Sequence, residues 1–432
     1  MSLALFGGAP VRTRPFPAYR IMGEEEKEAL ARVIDSGILS RYLGCWHEDF
    51  YGGPEVQALE REWAARFGVK HAIAVNSCTS GLYAAVGAVG TEPGDEIIVP
   101  PYTMAATTTA PLVYGAIPVF ADVEPDCFCI DPAAVEAAIT PRTRAIMAVD
   151  LFGLPYNALA INAIARKHGI RVIEDNAQAP GALHFGREAG SLADIGVFSL
   201  NYHKHIHTGE GGMVVTNDDE LADKVRLIRN HAEAVVEAKG TTDLVNMVGF
   251  NYRLTELQAA VGRCQLAKFD TLLAARQENS TYLSSRLAEI DCITPPKVRE
   301  GCTHVYYVHA CLYDAECAGL PRQRFLEAVS AELAPTELRE GEGVLLSGGY
   351  VRPLYLQPIF QRRIAFGSQG FPFVNPWNPA SPRYDAGLCP TCERLHTAEL
   401  IEHELMRPPM TRADLDDVAD AFTKVWELRH TL

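Results

Sequence analysis

The stretch Ser199-Leu-Asn-Tyr-His-Lys204-His-Ile-His-Thr-Gly209-Glu-Gly-Gly212 sets one lysine in a loop between two apolar runs. The runs at 195–200 and 213–216 have the length and composition of buried strands, so the loop is predicted to join two strands. A lysine buried in a pocket loses its charge more easily, and its neutral amine can form a Schiff base. Histidines 203, 205 and 207 would add to that effect if they were protonated. Most lysines in turns are solvated, so this segment alone leaves a surface lysine as the alternative.

Working outward, five more short apolar runs precede this segment, at 72–75, 97–99, 118–123, 145–149 and 172–174. Several lack alternation, which is typical of strands covered on both faces. Residues 54–68 have helical spacing, and 132–138 and 158–168 are long enough for crossover helices. The pattern predicts an α/β fold with a mainly parallel central sheet flanked by helices.

The pattern changes after residue 254. A long helix is predicted over 254–275, a strand over 305–312, and helices over 322–333 and 412–429, while 341–390 is rich in glycine and proline without periodicity. The 432 residues exceed what one hydrophobic core usually supports. We therefore predict a large domain at 1–265, including the N-terminal segment, and a smaller C-terminal α+β domain at 266–432.

The net charge of −15 argues against a nucleic-acid or anionic-membrane surface, both of which need a basic face. No apolar run is long enough to span a bilayer, and the N-terminus lacks the features of a signal peptide, so a cytoplasmic protein is expected. The 11 cysteines are then expected to be reduced thiols. Cys389-Pro-Thr-Cys392 is the only CxxC motif, and without two further ligands at suitable spacing it predicts no metal site.

A second polar segment, Val172-Ile-Glu-Asp175-Asn-Ala-Gln178, ends a predicted strand on an acidic residue. Ligands bind at the carboxyl ends of parallel strands in open α/β sheets. A carboxylate there can keep the ring nitrogen of a pyridine cofactor protonated, and Gln178 can bond a ring substituent. An aspartate at a strand end is as often a helix cap or a metal ligand, so the segment is not decisive by itself.

A third segment, residues 74–82, runs from a strand into an apolar helix through Asn76-Ser-Cys78-Thr79-Ser. Free amides at a helix N-terminus bind phosphate, although an ordinary serine or threonine cap is the commoner case. What favours one cofactor site is the order of the three segments along the chain: phosphate loop, acidic residue, lysine.

That order, with these local sequences, resembles the pyridoxal-phosphate (PLP) dependent sugar aminotransferases of the DegT/StrS type. The resemblance extends from Gly7-Gly-Ala-Pro-Val-Arg to Arg407-Pro-Pro-Met-Thr. The family's Ser-x4-Lys-x4-Gly-Glu-Gly-Gly segment is matched by Ser199, Lys204 and residues 209–212. Its Glu-Asp-x-x-Gln/His segment is matched by Glu174, Asp175 and Gln178. Its Gly-x-Asn-x-Arg segment is matched by Gly249, Asn251 and Arg253. The resemblance implies the type I fold of aspartate aminotransferase.

It also implies roles for individual residues. Lys204 would carry PLP as a Schiff base and shuttle protons, Asp175 would pair with the pyridine nitrogen, and Gln178 would contact the ring hydroxyl. The phosphate would be held by Ser199 and the backbone around Cys78 and Thr79. Asn251 would reach the partner subunit's phosphate, so a homodimer with composite active sites is expected.

Two positions depart from the family pattern. Cys78 stands where the family usually has glycine, and it would be strained if the turn required a positive φ. Met104 stands where family members commonly have an aromatic residue on the cofactor face, and a thioether can still pack on a ring.

The implied activity is ping-pong transamination from glutamate or glutamine to a keto-sugar or keto-cyclitol, with PLP and pyridoxamine phosphate alternating, in amino-sugar or secondary-metabolite biosynthesis. Two alternatives remain: a PLP-dependent sugar dehydratase, whose members have histidine in place of the lysine, and a non-catalytic PLP-binding regulatory protein. Candidate substrate-side residues lie in 42–51 and 306–307 and around 352–355, but a structural role is the commoner case for each, and none is assigned a catalytic role.

Overall fold

The computed structural model describes residues 2–378 and 382–432. Its strands are β1 (His71–Val75), β2 (Glu96–Val99), β3 (Ile117–Phe120), β4 (Thr143–Val149), β5 (Arg171–Asp175), β6 (Leu183–His184), β7 (Arg187–Glu188), β8 (Ile195–Ser199), β9 (Gly212–Thr216), β10 (Ile293–Thr294), β11 (His309–Tyr313), β12 (Leu346–Gly348) and β13 (Leu400–His403).

The helices are α1 (Glu24–Ser36), α2 (Pro54–Phe67), α3 (Cys78–Ala88), α4 (Ala106–Val113), α5 (Pro132–Ala138), α6 (Ala158–His168), α7 (Asp219–Arg229), α8 (Val236–Lys239), α9 (Glu256–Leu287), α10 (Ala315–Ala318), α11 (Arg322–Ala331), α12 (Pro358–Gln361), α13 (Pro390–Arg394) and α14 (Arg412–Leu428).

The central sheet has the strand order β1-β9-β8-β5-β4-β2-β3. Every neighbouring pair from β8 to β3 is parallel, whereas β9 is antiparallel to both β1 and β8. The predicted mainly parallel sheet is therefore confirmed. Its strands are buried along nearly their whole length, which is why the sequence runs lack alternation.

The direction of the strands brings the chemically important segments to one edge. Because β1 and β8 are both antiparallel to β9, they run in the same direction as β5. The loops that follow β1, β5 and β8 therefore leave the sheet on the same side. This edge carries residues 76–79, 175–178 and 199–211.

A smaller antiparallel sheet with the strand order β10-β11-β13-β12 packs with α11 and α14 around a second hydrophobic cluster. Its hydrophobic cluster also takes in Leu3 and Phe16 from the N-terminal segment. Helix α9 connects the two units: Phe269 packs in the main cluster and Leu283 in the smaller one. The domain boundary at 265/266 falls inside this continuous helix and stays a prediction.

Two elements differ from their predicted extents. Helix α9 continues to Leu287, beyond the predicted end at residue 275. The strand predicted over 305–312 begins only at His309, because Tyr306 has a φ of 50° and interrupts the extended backbone. In the part of the chain that the structure describes, no helix has the length and apolar character needed to cross a membrane.

Candidate active site

A cavity of about 360 Å³ opens at the carboxyl edge of the central sheet. It brings together seven of the eight residues predicted from the sequence: Cys78, Thr79, Met104, Asp175, Gln178, Ser199 and Lys204. These residues come from four separate chain segments, which the strand order of the sheet unites at one edge.

Lys204 lies half-buried in the loop between β8 and β9, with its Nζ 4.2 Å from the ring centroid of Tyr307. The loop is closed on itself, since the amide of Tyr202 donates to the Gly209 carbonyl at 2.9 Å. It is also anchored from outside, where His205 Nε2 donates to the Val305 carbonyl at 2.9 Å. The backbone therefore holds the lysine firmly at the cavity wall.

The three histidines around this lysine carry little positive charge near neutral pH. Burial lowers the pKa of His203, His205 and His207, and that of His205 falls well below its usual range. The condition stated from the sequence, that one of these histidines is protonated, is therefore not favoured near neutral pH.

Asp175 is the last residue of β5, and only 4% of it is exposed. Thr107 Oγ1 donates to Asp175 Oδ2 at 3.0 Å, and the amide of Ala177 donates to Oδ1 at 3.2 Å. Burial raises the pKa of the Asp175 carboxyl, while these two bonds and the charge of Lys204 oppose the rise. A cation delivered into the cavity would complete the stabilisation of this carboxylate.

Gln178 is held by partners at both ends of its amide. Its Oε1 accepts from the amide of Phe152 at 2.7 Å, and its Nε2 donates to Tyr350 Oη at 3.1 Å. The second N–H of Nε2 is left for a ligand in the cavity.

The N-terminus of α3 forms one wall of the cavity. Ser77 is the N-cap, and its Oγ accepts from the Ser80 amide at 3.0 Å. The amides of Cys78 and Thr79 lie in the first turn, ahead of the first intrahelical donor. Gly212 lies directly against this turn, because a Cβ on it would come within 2.8 Å of the Cys78 nitrogen. The result is a cradle of backbone amides that fits a small anion.

Cys78 is unstrained at this turn. It is the first helical residue of α3 and is not among the residues with positive φ, so the strain considered from the sequence does not arise. Burial raises the pKa of its thiol well above the ordinary range, which keeps the sulfur protonated.

Met104 and Ser199 complete the predicted lining in different ways. Ser199 ends β8 and is buried, with its Oγ accepting from the Asn201 amide at 3.3 Å. Met104 lines the cavity but is 63% exposed in the single chain, so its thioether has free space on one side.

Asn251 is the one predicted residue that lies outside this cavity. It is exposed, its Oδ1 accepts from Arg253 Nε at 2.8 Å, and its backbone pairs with Asn230. It is not part of the cavity lining of its own chain, although its carbonyl accepts from Asn76 Nδ2 at 3.2 Å, next to the α3 cap.

Residues 22–375 match the DegT/DnrJ/EryC1/StrS aminotransferase family. The chain belongs to this family. It is a PLP-dependent aminotransferase with the type I fold, as the sequence resemblance implied.

Among its relatives, the L-glutamine:2-deoxy-scyllo-inosose aminotransferase of Streptoalloteichus tenebrarius is 36% identical over 99% of this chain and 98% of that protein. The GDP-perosamine synthase of Caulobacter vibrioides is 42% identical, but over 60% of this chain and 68% of that protein. The X-ray structure of the aminotransferase from Psychrobacter cryohalolentis superimposes with a TM-score of 0.79 at 28% identity, covering 96% of this chain and 100% of that one.

The residues of the cavity fit the cofactor of this family. Asp175 supplies a buried carboxylate that, among the described residues, has no cationic partner within bonding distance, as a protonated pyridine nitrogen requires. The amide cradle of α3 and the absence of a Cβ at Gly212 suit a phosphate. Lys204 supplies the amine in the same cavity.

The sequence interpretation missed Thr107 and Tyr350. Thr107 is fully buried in α4 and binds the carboxylate of Asp175. Tyr350 follows β12 in the glycine- and proline-rich stretch and binds Gln178. Neither has a local signal, because each is defined by a contact with a residue distant in sequence.

Among the described residues, one group of three possible metal ligands lies close together, namely His309, Cys311 and His403 in the smaller sheet. Cys311 Sγ and His309 Nδ1 already bond each other at 3.4 Å, and three ligands fall short of a structural zinc site. Cys389 and Cys392 are not part of this group. The amide of Cys392 instead donates to Asp122 Oδ1 at 3.0 Å.

Proposed function

We propose that this aminotransferase moves an amino group from glutamine or glutamate to a keto-cyclitol or a related keto-sugar in two half-reactions. The observation that carries the proposal is the meeting of Lys204, Asp175 and the α3 amide cradle in one cavity. The choice of donor and acceptor rests on the inosose aminotransferase relative, which aligns over nearly the whole of both chains.

Each residue of the cavity then has a defined task. Lys204 Nζ holds the cofactor covalently, and Asp175 keeps its ring nitrogen protonated. The amides of Cys78 and Thr79 and the hydroxyl of Ser199 hold its phosphate, and Gln178 uses its free N–H on the ring hydroxyl. Met104 packs on one face of the ring.

PLP supplies an electron sink and carries the amino group between the two half-reactions. Lys204 Nζ would move the proton from the α-carbon of the donor to the cofactor in the first half-reaction, and from the cofactor to the acceptor carbon in the second. Tyr307 lies beside Nζ and keeps water from that face of the amine. Donor and acceptor use the same cavity in turn, because the two half-reactions mirror each other.

We further propose that the enzyme works in the cytoplasm as a homodimer in which Asn251 contacts the phosphate in the partner's site. Its exposure, away from the cavity of its own chain, supports this role. The dehydratase alternative loses support because the spacing from Ser199 and Gly209 assigns Lys204, and neither neighbouring histidine, to the key position.

The test is the visible absorption spectrum of the protein with PLP, followed by borohydride reduction and peptide mass analysis. We expect the cofactor label on Lys204. Lys204→Ala should lose the band and at least about a thousandfold in kcat, as occurs when a residue of covalent catalysis is removed. Lys70→Ala, which removes a surface lysine paired with Asp219, is the matched control and should behave like the native protein.

Adding glutamine or glutamate should convert the bound cofactor to its pyridoxamine form, and a keto-cyclitol should convert it back. A stable band that no amino acid changes would favour the regulatory alternative. Absence of any band at saturating PLP would refute the cofactor assignment.

A further inference from the structure

Two tyrosines line the cavity without belonging to the central sheet. Tyr307 precedes β11 by two residues, and Tyr350 follows β12 by two residues. Both come from the chain beyond α9, so they form the wall that faces the sheet edge. Both line the same cavity as Lys204, and the Tyr307 ring lies 4.2 Å from its Nζ.

The segment that carries Tyr307 is held in an unusual backbone conformation. Tyr306 has a φ of 50°, and Phe152, in the loop that faces it, has a φ of 58°. Bulky residues rarely adopt the left-handed region, because their side chains crowd the backbone there. Strain of this kind persists where the surrounding structure enforces it, most often at functional sites.

The contact that enforces this conformation is a close approach of two backbones. Gly153 has a φ of 106°, and a Cβ on it would come within 2.7 Å of the Tyr306 nitrogen and 2.9 Å of the Tyr307 nitrogen. The amide of Val305 also donates to the Gly153 carbonyl at 2.9 Å. The loop after β4 therefore directs the Tyr307 ring over Lys204.

Tyr350 is clamped by its neighbours but keeps a free hydroxyl proton. Its amide donates to Tyr102 Oη at 2.9 Å, and its ring meets Phe152 edge to face at 5.0 Å. Gln178 Nε2 can only donate, so the Tyr350 oxygen accepts there, and its own proton is available. No hydrogen bond in the described parts of the chain uses that proton or the hydroxyl of Tyr307.

The cavity that these tyrosines close is small. Its volume of about 360 Å³ is at the lower end for ligand pockets, and the cofactor occupies part of it. Arginine is missing from its described lining, although arginine is the preferred side chain for phosphate groups. Arg339 and Arg407 line a neighbouring cavity, where both pair with Glu404.

We propose that Tyr307 and Tyr350 form the acceptor subsite and select an uncharged, polyhydroxylated six-membered ring ketone over a nucleotide-linked one. The Tyr307 ring packs on the C–H face of the acceptor, and the two hydroxyls bond its ring hydroxyl groups. A site built to bond substrate hydroxyls discriminates strongly, because its polar groups stay unpaired with the wrong ligand. This inference rests on the proposed aminotransferase function and names its substrate class.

The experiment measures the two half-reactions of the holoenzyme separately by the cofactor spectrum, with glutamine as donor and 2-deoxy-scyllo-inosose as acceptor probe. Tyr350→Phe and Tyr307→Phe should each lower the acceptor rate constant kcat/KM about 10- to 100-fold, the effect of losing a substrate hydrogen bond. The donor half-reaction should change less than about threefold, because the amino-acid donor has no ring hydroxyl groups for these two tyrosines to bond.

Tyr313→Phe is the matched control, because it removes a tyrosine hydroxyl that bonds Leu320 away from the cavity. It should leave both half-reactions unchanged. The native enzyme should also prefer the free inosose to a nucleoside-diphosphate keto-hexose by at least about a hundredfold.

Equal losses in both half-reactions would overturn the proposal, since Tyr350 would then act on the cofactor through Gln178. Unchanged acceptor rates in both variants, or a preference of the native enzyme for the nucleotide-linked ketone, would also overturn it. Failure of glutamine and glutamate to change the native spectrum would refute the proposed function itself and the subsite with it.

Discussion

At the scale of single residues, Asp175 combines two opposing demands. Its carboxylate must be charged to hold a protonated ring nitrogen, yet it lies in a buried position where burial raises its pKa. Thr107 and Ala177 each donate one neutral hydrogen bond to this carboxylate. These bonds offset part of the free-energy cost of burying its charge. The charge is thus fully stabilised only when the cofactor is present.

We expect Asp175→Asn to lower kcat about 10²- to 10⁴-fold, the range for loss of a group that controls protonation. The cofactor-free variant should be more stable than the native protein at pH 8 by about 0.5–2 kcal/mol, as is common when a strained functional group is replaced. Denaturant unfolding of the cofactor-free proteins measures this difference.

The higher stability expected for cofactor-free Asp175→Asn should depend on pH. The folded-state pKa of Asp175 is raised above its ordinary value of 3.8, so the native protein loses stability as the pH rises from that value through the folded pKa. The advantage of asparagine should therefore be absent below pH 3.8, grow through this window and stay constant above it. A gain that shrinks with rising pH would contradict the assignment of a buried, uncompensated carboxylate.

At the scale of elements, α3 links stability to cofactor binding. Ser77 caps the helix through the Ser80 amide, and Ser80 Oγ in turn donates to Asn76 Oδ1 at 2.6 Å. These bonds fix the first turn, so the next two amides point toward the cavity. The N-terminus of α3, which follows β1, thus forms the phosphate cradle.

Ser77→Ala should lower the free energy of unfolding by about 1 kcal/mol, the usual value of an N-cap. It should also raise the Kd for PLP roughly three- to tenfold, because the amides of the cradle lose their fixed orientation. Spectroscopic titration of the cofactor-free protein measures the Kd.

Thr411→Ala is the control, since Thr411 caps α14 in the smaller unit. Thr411→Ala should lower the free energy of unfolding by a similar amount without changing the Kd for PLP. An equal rise of the Kd in both variants would mean that general destabilisation, rather than the α3 turn, weakens binding.

At the scale of the whole molecule, one chain leaves part of its site open. Met104 in the cavity is 63% exposed, and the segment before Asn251 exposes Leu244, Val245 and Val248. Clustered apolar exposure of this kind marks an interaction surface. It supports the proposal that a second copy covers the cavity and contributes Asn251.

A mixture of two inactive variants tests this arrangement. In a heterodimer of Lys204→Ala and Asn251→Ala chains with composite sites, both substitutions fall in one site and the other site is intact. Random mixing of subunits should therefore recover about a quarter of the native activity. If Asn251 acts within its own chain, both sites stay defective and mixing restores no activity.

The sequence by itself determined the layered α/β fold, and it predicted seven residues that the structure brings together in one cavity. The seven strands of the central sheet follow from short apolar runs, a local property of the chain. Asp175 ends β5, Cys78 begins α3 and Lys204 lies in the loop that follows β8, and these segments, whose strands local patterns predict, meet at one edge of the sheet. The domain boundary and the role of Asn251 stay predictions.

Only the tertiary structure decided the opposite wall of the cavity. Residues 305–308 have the composition of a strand, but contact with Gly153 turns the backbone at Tyr306 and directs Tyr307 to the lysine. Tyr350 and Thr107 have no periodic signal, and their positions follow from bonds to Gln178 and Asp175 across 172 and 68 residues of chain. Such contacts depend on the packing of distant segments, which no local pattern encodes.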